Sequence, residues 1–395
     1  MDFINFIIDY ALPFLVVLTV LIFVHELGHF LLARRNGVRV EVFSIGFGQE
    51  LWGFNDKHGT RWRFSAVPLG GYVKMFGEGD VITGVDDTED RPMTEEEKKV
   101  SFHHKRLRQR TAIVAAGPLA NFLFAIVLFW AINSMLGVPQ VLSTVGEVIE
   151  DTAAEEAGFV PGDKIIAIDG AEITLFSDLS AIVAVNANVE LNFEVLRDGK
   201  VIELKATPRP WNLNAEGEAE DDDGEEGDDD GDKAAEIEAK TPQRGLLGVR
   251  PDMLDMPSER KGVGEGLVLA VEQTYGWVAT ILGGIGEMFS GDRSAKELGG
   301  ILMIAEVSGN AAQGGLLPIL HFMAILSINL GLINLFPVPV LDGGHLAFYA
   351  AEALRGKPLS ARVQEYGFRL GLVLVLLLMV FATWNDFERL FDKFG

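Results

Sequence analysis

Apolar residues gather in a few long, nearly uninterrupted runs. Four of them, Ile4 to Leu32, Ala112 to Met135, Leu316 to Val338 and Phe368 to Trp384, approach or exceed the about 20 residues that a helix needs to cross a bilayer. The first has no basic leader and is expected to stay as an anchor rather than be removed as a signal peptide. A fifth run, Gly266 to Phe289, carries Glu272, Gln273 and Glu287 and predicts an amphipathic helix at the membrane interface. Elsewhere the period changes. From Val40 to Tyr72 short β-prone runs alternate with turns and predict a hairpin just inside the first span. From Val145 to Pro208 strands are punctuated by Pro161-Gly162-Asp163, Asp169-Gly170 and Asp198-Gly199, with short helices expected over 153–157 and 177–185. Arg244 to Pro251 resumes β character and is expected to return a strand to that unit.

Composition agrees with a membrane protein: 48% of the 395 residues are hydrophobic, too many for a disordered chain. The net charge of -24 changes the picture little, because half of the excess sits between Glu216 and Asp232. That tract has nothing apolar to bury and lacks the glycine and ligand spacing of a calcium loop, so it reads as a solvated linker. No cysteine is present, which excludes disulfides and thiolate metal sites. Basic residues cluster beside the spans: Arg34, Arg35 and Arg39, then Lys105, Arg106, Arg108 and Arg110, then Arg355, Lys357, Arg362 and Arg369. Positive-inside places these loops in the cytoplasm and the β-rich domain outside.

The chemistry lies where lipid should be. His25-Glu26-Leu27-Gly28-His29 ends the first run. Positions i and i+4 share a helix face about 6 Å apart along the axis, so both imidazoles can bind one metal. Glu26 falls beside the first ligand, as a general base requires. A chance HExxH is the bland alternative, but ionisable groups inside a span cost about 2.5–3.5 kcal/mol and need a partner. Zinc would need a third protein ligand. Asp342, after the helix-stopping Pro337 and Pro339 and in a glycine-flanked turn, is the first candidate, against the reading of a plain surface turn, and His345 is the second. His58, His103 and His104 read as surface residues and His321 as helix packing. Asp342 reaches the histidines only if the first and third spans run in the same direction, which requires Gly266 to Phe289 not to cross.

HELGH, ARRNGVRVEVFSIGFGQELW, PLGGYVKM, AAGPLANFLFAI and NLGLINLFPVPVLDGGH together resemble the site-2 protease family, in its RseP-type branch, over nearly the whole chain. AGFVPGDKIIAIDG is similar to bacterial PDZ domains, which bind extended peptides by strand addition. The resemblance implies an intramembrane zinc metalloprotease of the bacterial inner membrane with one Zn2+ per chain, held by His25, His29 and Asp342, with Glu26 as base. It implies that Asn334 holds the substrate backbone, with Pro337, Gly70 and Gly71 also at the substrate, and that Gly117, Pro118 and Asn121 form a packing motif near the site. The β-run after the first span would be a re-entrant loop offering an edge to unwound substrate. Expected partners are single-span membrane proteins, such as anti-sigma factors after a first cut and remnant signal peptides, with the lipid bilayer around the chain and a peptide tail possible at the PDZ domain. No nucleic acid is expected. Two departures stand out. Only one PDZ domain fits, where the branch's best-known members carry two, and Gly300 stands where relatives usually place proline, a change expected to alter only a local turn.

The implied fold is a polytopic α-helical membrane protein with about four transmembrane helices, a β-hairpin region and an inserted α+β PDZ domain. Its expected divisions are 1–38, 39–110, 111–136, 141–251 (with a disordered insert over 212–240), 252–315, 316–345, 346–366, 367–385 and 386–395. A membrane-tethered PDZ adaptor without catalysis is the alternative, but an intact HELGH argues against it. A zinc transporter would want more polar residues in spans two and four than Asn121 and Asn133.

Overall fold

The computed structural model describes residues 7–77, 93–211, 244–253, 256–291 and 293–394. The expected insert over 212–240 and the first residues of the first run lie outside them. The chain forms two compact units, one up to Leu136 and again from Lys261, the other Gly137–Arg260.

The first unit is mainly helical. Helix α1 (Leu12–Arg35) follows a π-helical turn at Ile7–Ala11 and carries its proline in the first turn, where a missing N–H costs nothing. It ends at Asn36, with Gly37 at φ 68°. Strands β1 (Val40–Asn55) and β2 (Arg61–Met75) then pair, a short α2 (Glu95–Val100) follows, and α3 (Leu107–Ala131) runs into a π-helical turn at Ile132–Leu136. After the inserted unit come α6 (Val263–Ser290), α7 (Ile301–Gln313), α8 (Leu316–Leu335), α9 (Asp342–Arg355) and α10 (Ala361–Phe394). Among the described residues, four stretches are long and apolar enough to cross a membrane: Ile7–Arg35, Leu107–Leu136, Leu316–Leu335 and Arg362–Arg389.

Small residues bring α1 and α3 together. A Cβ on Gly28 would lie 2.2 Å from the Ala116 carbonyl oxygen and 2.8 Å from Ala120 Cβ, so the crossing is nearly backbone to backbone. Direction follows from matched contacts. His25 meets Asn121 while His29 meets Ile113, so α1 and α3 are antiparallel. Ser327 meets Asn121 while His321 packs on Phe129 at 5.4 Å, so α3 and α8 are antiparallel too. Helices α1 and α8 therefore run the same way. Helix α6 lays Gly266, Ala270 and Thr274 in its buried face and supports α3 and α8.

Several elements differ in detail from the sequence reading. The β region is more than a plain hairpin: residues 42–45 face both 61–64 and 71–74, so β1 and β2 curl back on themselves. Glycines at positive φ, Gly46 (88°), Gly48 (85°) and Gly70 (148°), accompany the bends. The stretch 346–366, expected as a loop, is mostly helical, in α9 up to Arg355 and in α10 from Ala361, and α10 extends past both ends of the expected fourth span. Gly300 does more than shape a turn. It caps α7, its N–H donates to Asp386 Oδ1 at 2.8 Å, and Asp386 Oδ2 accepts from Leu302 N–H at 3.0 Å. A proline at 300 would lack that donor, so the carboxylate from α10 serves as the cap that the α7 N-terminus otherwise lacks.

The second unit has an antiparallel sheet in the order β6 (Ala171–Glu172), β5 (Lys164–Ile168), β7 (Leu191–Arg197), β8 (Lys200–Ala206). Three two-stranded pairs complete it: β3 (Val138–Pro139) with β12 (Ser258–Glu259), β4 (Val145–Val148) with β11 (Val249–Pro251), and β9 (Arg209–Trp211) with β10 (Arg244–Leu246). Helices α4 (Ala153–Glu156) and α5 (Phe176–Val185) flank them. The strand expected to return over 244–251 is present as β10 and β11. Alternation along β7 puts Leu191, Phe193 and Val195 inward against Ile165, Ile168 and Leu179.

Candidate metal centre

Among the described residues, His25, His29 and Asp342 bring one ligand atom each within 4.8 Å of one another. The two Nε2 atoms are 3.2 Å apart, and Asp342 Oδ2 lies 3.1 Å from His25 Nε2 and 3.5 Å from His29 Nε2. The histidines are 9% and 8% exposed. Helical spacing alone places the first two; the third depends on how the chain breaks after α8.

That break is compact. Phe336 leaves the helix in an extended conformation, and Val338 N–H and Leu341 N–H close tight turns onto the Phe336 and Val338 carbonyls. Asp342 opens α9 instead of sitting in a turn, as the sequence reading had it. Its two following glycines are needed there: a Cβ on Gly343 or Gly344 would fall 2.3 Å from the carbonyl oxygens of Leu335 or Val338. His345, the rival ligand, instead packs its ring on Phe368 at 5.2 Å and Tyr349 at 6.5 Å.

Helix α3 positions all three donors. The Ile113 carbonyl accepts from His29 Nδ1 at 2.9 Å. A carbonyl can only accept, so that nitrogen carries the proton and Nε2 keeps its lone pair for a metal. The Asn121 amide lies 3.2 Å from His25 Nδ1. Arg110 donates to Glu352 of α9 at 2.6 Å and stacks on Tyr349, which ties the helix that begins with Asp342 to α3. A Cβ on Gly117 would lie 2.2 Å from His29 Nε2 and 2.9 Å from His25 Cε1, so only glycine lets α3 approach this closely. The sequence reading missed Ile113, Arg110 and Glu352. A backbone carbonyl has no sequence signal, and Arg110 had served there only as a marker of orientation.

Glu26 lies within electrostatic reach of both histidines and Asp342. Gly71 of β2 comes against it, since a Cβ there would sit 3.3 Å from Glu26 Cγ and 2.8 Å from Ile22 Cγ2. Gly70 faces the Phe47 ring. Asn334 is half-buried in the last turn of α8, and Pro337 is exposed in the break, both outside the donor cluster.

The donors fit a metal. Asp342 Oδ2 is buried with no hydrogen bond of good geometry despite the two imidazole nitrogens beside it. His29 Nε2 has no proton to offer it, so a cation shared by these atoms is the natural partner. Two imidazoles and a carboxylate suit zinc and leave a fourth position free. Such a centre, with two donors on a helix apolar and long enough to cross a bilayer and the third just past the end of another, defines a membrane metallopeptidase. The chain belongs to Peptidase family M50, whose sequence model matches residues 13–378. It is 41% identical to "Putative zinc metalloprotease R01501" of Rhizobium meliloti (strain 1021), covering 97% of this chain and 98% of the relative. It is 36% identical to "Metalloprotease MmpA" of Caulobacter vibrioides (96% and 95% covered) and 34% identical to "Regulator of sigma-E protease RseP" of Salmonella typhimurium (95% and 98%).

Proposed function

We propose that the chain is a zinc-dependent endopeptidase that cuts peptide bonds within membrane-spanning segments, at the inner membrane of a bacterium and towards its cytoplasmic side. The observation that carries this reading is the convergence of His25 and His29, on an apolar helix of spanning length, with Asp342, just beyond the end of another. When bound, zinc polarises the scissile carbonyl and acidifies a water molecule. Glu26 takes the proton of the attacking water and returns it to the leaving amine. His29, with its tautomer set by Ile113, and Asp342 hold the geometry for that attack.

A helical substrate hides its carbonyls in hydrogen bonds and has to unwind before it is cut. The 71–75 segment of β2, lying against Glu26 through Gly71, would receive the unwound chain as an added strand. In this reading Gly70 and Gly71 keep that edge open, and Asn334 and Pro337 line the opposite approach. Single-span proteins already trimmed outside the membrane are the substrate class, and the relative named as a regulator of sigma-E protease supports anti-sigma factors among them. The unit Gly137–Arg260 is read as a PDZ-type domain facing the periplasm, in which chain 244–251 and α5 border a peptide groove.

The test uses purified protein in detergent. Glu26→Gln is expected to keep one zinc per chain by elemental analysis and to cut a model transmembrane peptide about 10²–10⁴-fold more slowly than wild type. Equal cleavage by the two proteins would sink the enzyme reading. Asp342→Asn with undiminished zinc would move the third ligand to His345.

A further inference from the structure

Asn121 is fully buried, and its Oδ1 has no hydrogen-bond partner among the described residues. A lone apolar-helix asparagine of this kind is costly to bury, and its surroundings hold it in one place. Its backbone carbonyl accepts from Ser327 Oγ of α8 at 2.9 Å. Gly331 presses on its Cβ, and a Cβ added to that glycine would lie 3.3 Å away. The side-chain amide therefore points across to α1, with Nδ2 placed 3.2 Å from His25 Nδ1.

His29 has its ring proton assigned by a carbonyl, but His25 faces an amide, which donates from one end and accepts at the other. The two ends are nearly alike in shape, so turning the amide exchanges donor for acceptor without moving its neighbours. His25 can offer a lone pair from Nε2 only if Nδ1 carries the proton, and Nδ1–H needs an acceptor. We infer that Asn121 is the positioning residue for His25, turning its amide oxygen to Nδ1–H so that Nε2 is the nitrogen presented to the metal. Asn121 is thus more than helix packing: it does for the first ligand what the Ile113 carbonyl does for the second.

This inference rests on the zinc reading above, and its test reads binding rather than cleavage. Zinc affinity of the purified full chain is measured by competition with a chromophoric chelator. Asn121→Leu and Asn121→Met fill the volume without an acceptor, while Asn121→Asp restores one. Both acceptor-free variants are expected to bind zinc about 10- to 100-fold more weakly than wild type, and Asn121→Asp is expected to stay within a few-fold of it. Unfolding temperatures of the metal-free proteins show which variants are intact; should neither acceptor-free variant be, a wild-type-like affinity in Asn121→Asp supports the inference and a 10-fold loss there overturns it. Wild-type affinity in an intact acceptor-free variant, or equal loss in all three, also overturns it. Absence of zinc from the wild type would instead overturn the function on which the inference stands.

Discussion

The two units both bury apolar side chains, but they differ in the polar groups they enclose and in the apolar surface they leave outside. The inserted unit follows the rule for water: Phe193, Val195 and Ile165 are fully inside, and its buried carboxylate, Asp163, accepts two 2.7 Å hydrogen bonds from Arg197. In the helical unit, His25, His29, Asn121 and Ser327 are inside, while Leu370, Leu377 and Leu123 are 71%, 63% and 62% exposed. Apolar surface on spanning helices faces lipid and gains little from being covered by more leucine, so packing there relies on small residues and polar contacts. Stability in the inserted unit therefore rests on apolar volume, and the helical unit adds to its own apolar clusters a close approach of helices around the polar site.

Substitutions can break that contrast. The largest effect is expected for Gly117→Val, because a Cβ there falls on the imidazoles; zinc should drop to near nil by elemental analysis, although the change adds apolar volume. Phe193→Ala should cost the inserted unit about 3–5 kcal/mol, read by its thermal unfolding, while zinc stays at one per chain. If Phe193→Ala released the zinc, the two units would not be separable in this way. Glu352→Ala leaves the Arg110 guanidinium without its carboxylate and frees α9 from α3. It should destabilise the helical unit by about 3 kcal/mol and lower zinc affinity through Asp342, as chelator competition would show.

The smallest effect concerns the β1–β2 turn. Partial burial pushes the Asp56 carboxyl up, but N–H donors from His58 and Thr60, the Trp62 indole and the Arg34 guanidinium outweigh it and hold it below the usual range. A depressed folded value means the contribution is whole above the ordinary carboxylate range and is lost as pH falls through the folded one. Limited proteolysis at 56–60 should accelerate only in acid, and Asp56→Asn should remove that dependence at a cost below about 1 kcal/mol.

The chain's own pattern determined much. Run lengths of apolar residues marked four spanning stretches, and the i, i+4 histidines had to share a face because helical geometry is local. Alternation and turn dipeptides located the strands of the inserted unit for the same reason. The third donor was not local. Asp342 and His345 stood three positions apart in sequence, and only the fold separated them, by turning His345 onto Phe368 and closing the break at 336–341 so that α9 starts at Asp342. Gly300 likewise looked like a turn until Asp386 was found across from it. Periodicity fixes which face a residue occupies, but the docking of α3 against α1, α8 and α9 depends on contacts distant in the chain, and that docking decided which polar groups meet at the candidate metal centre.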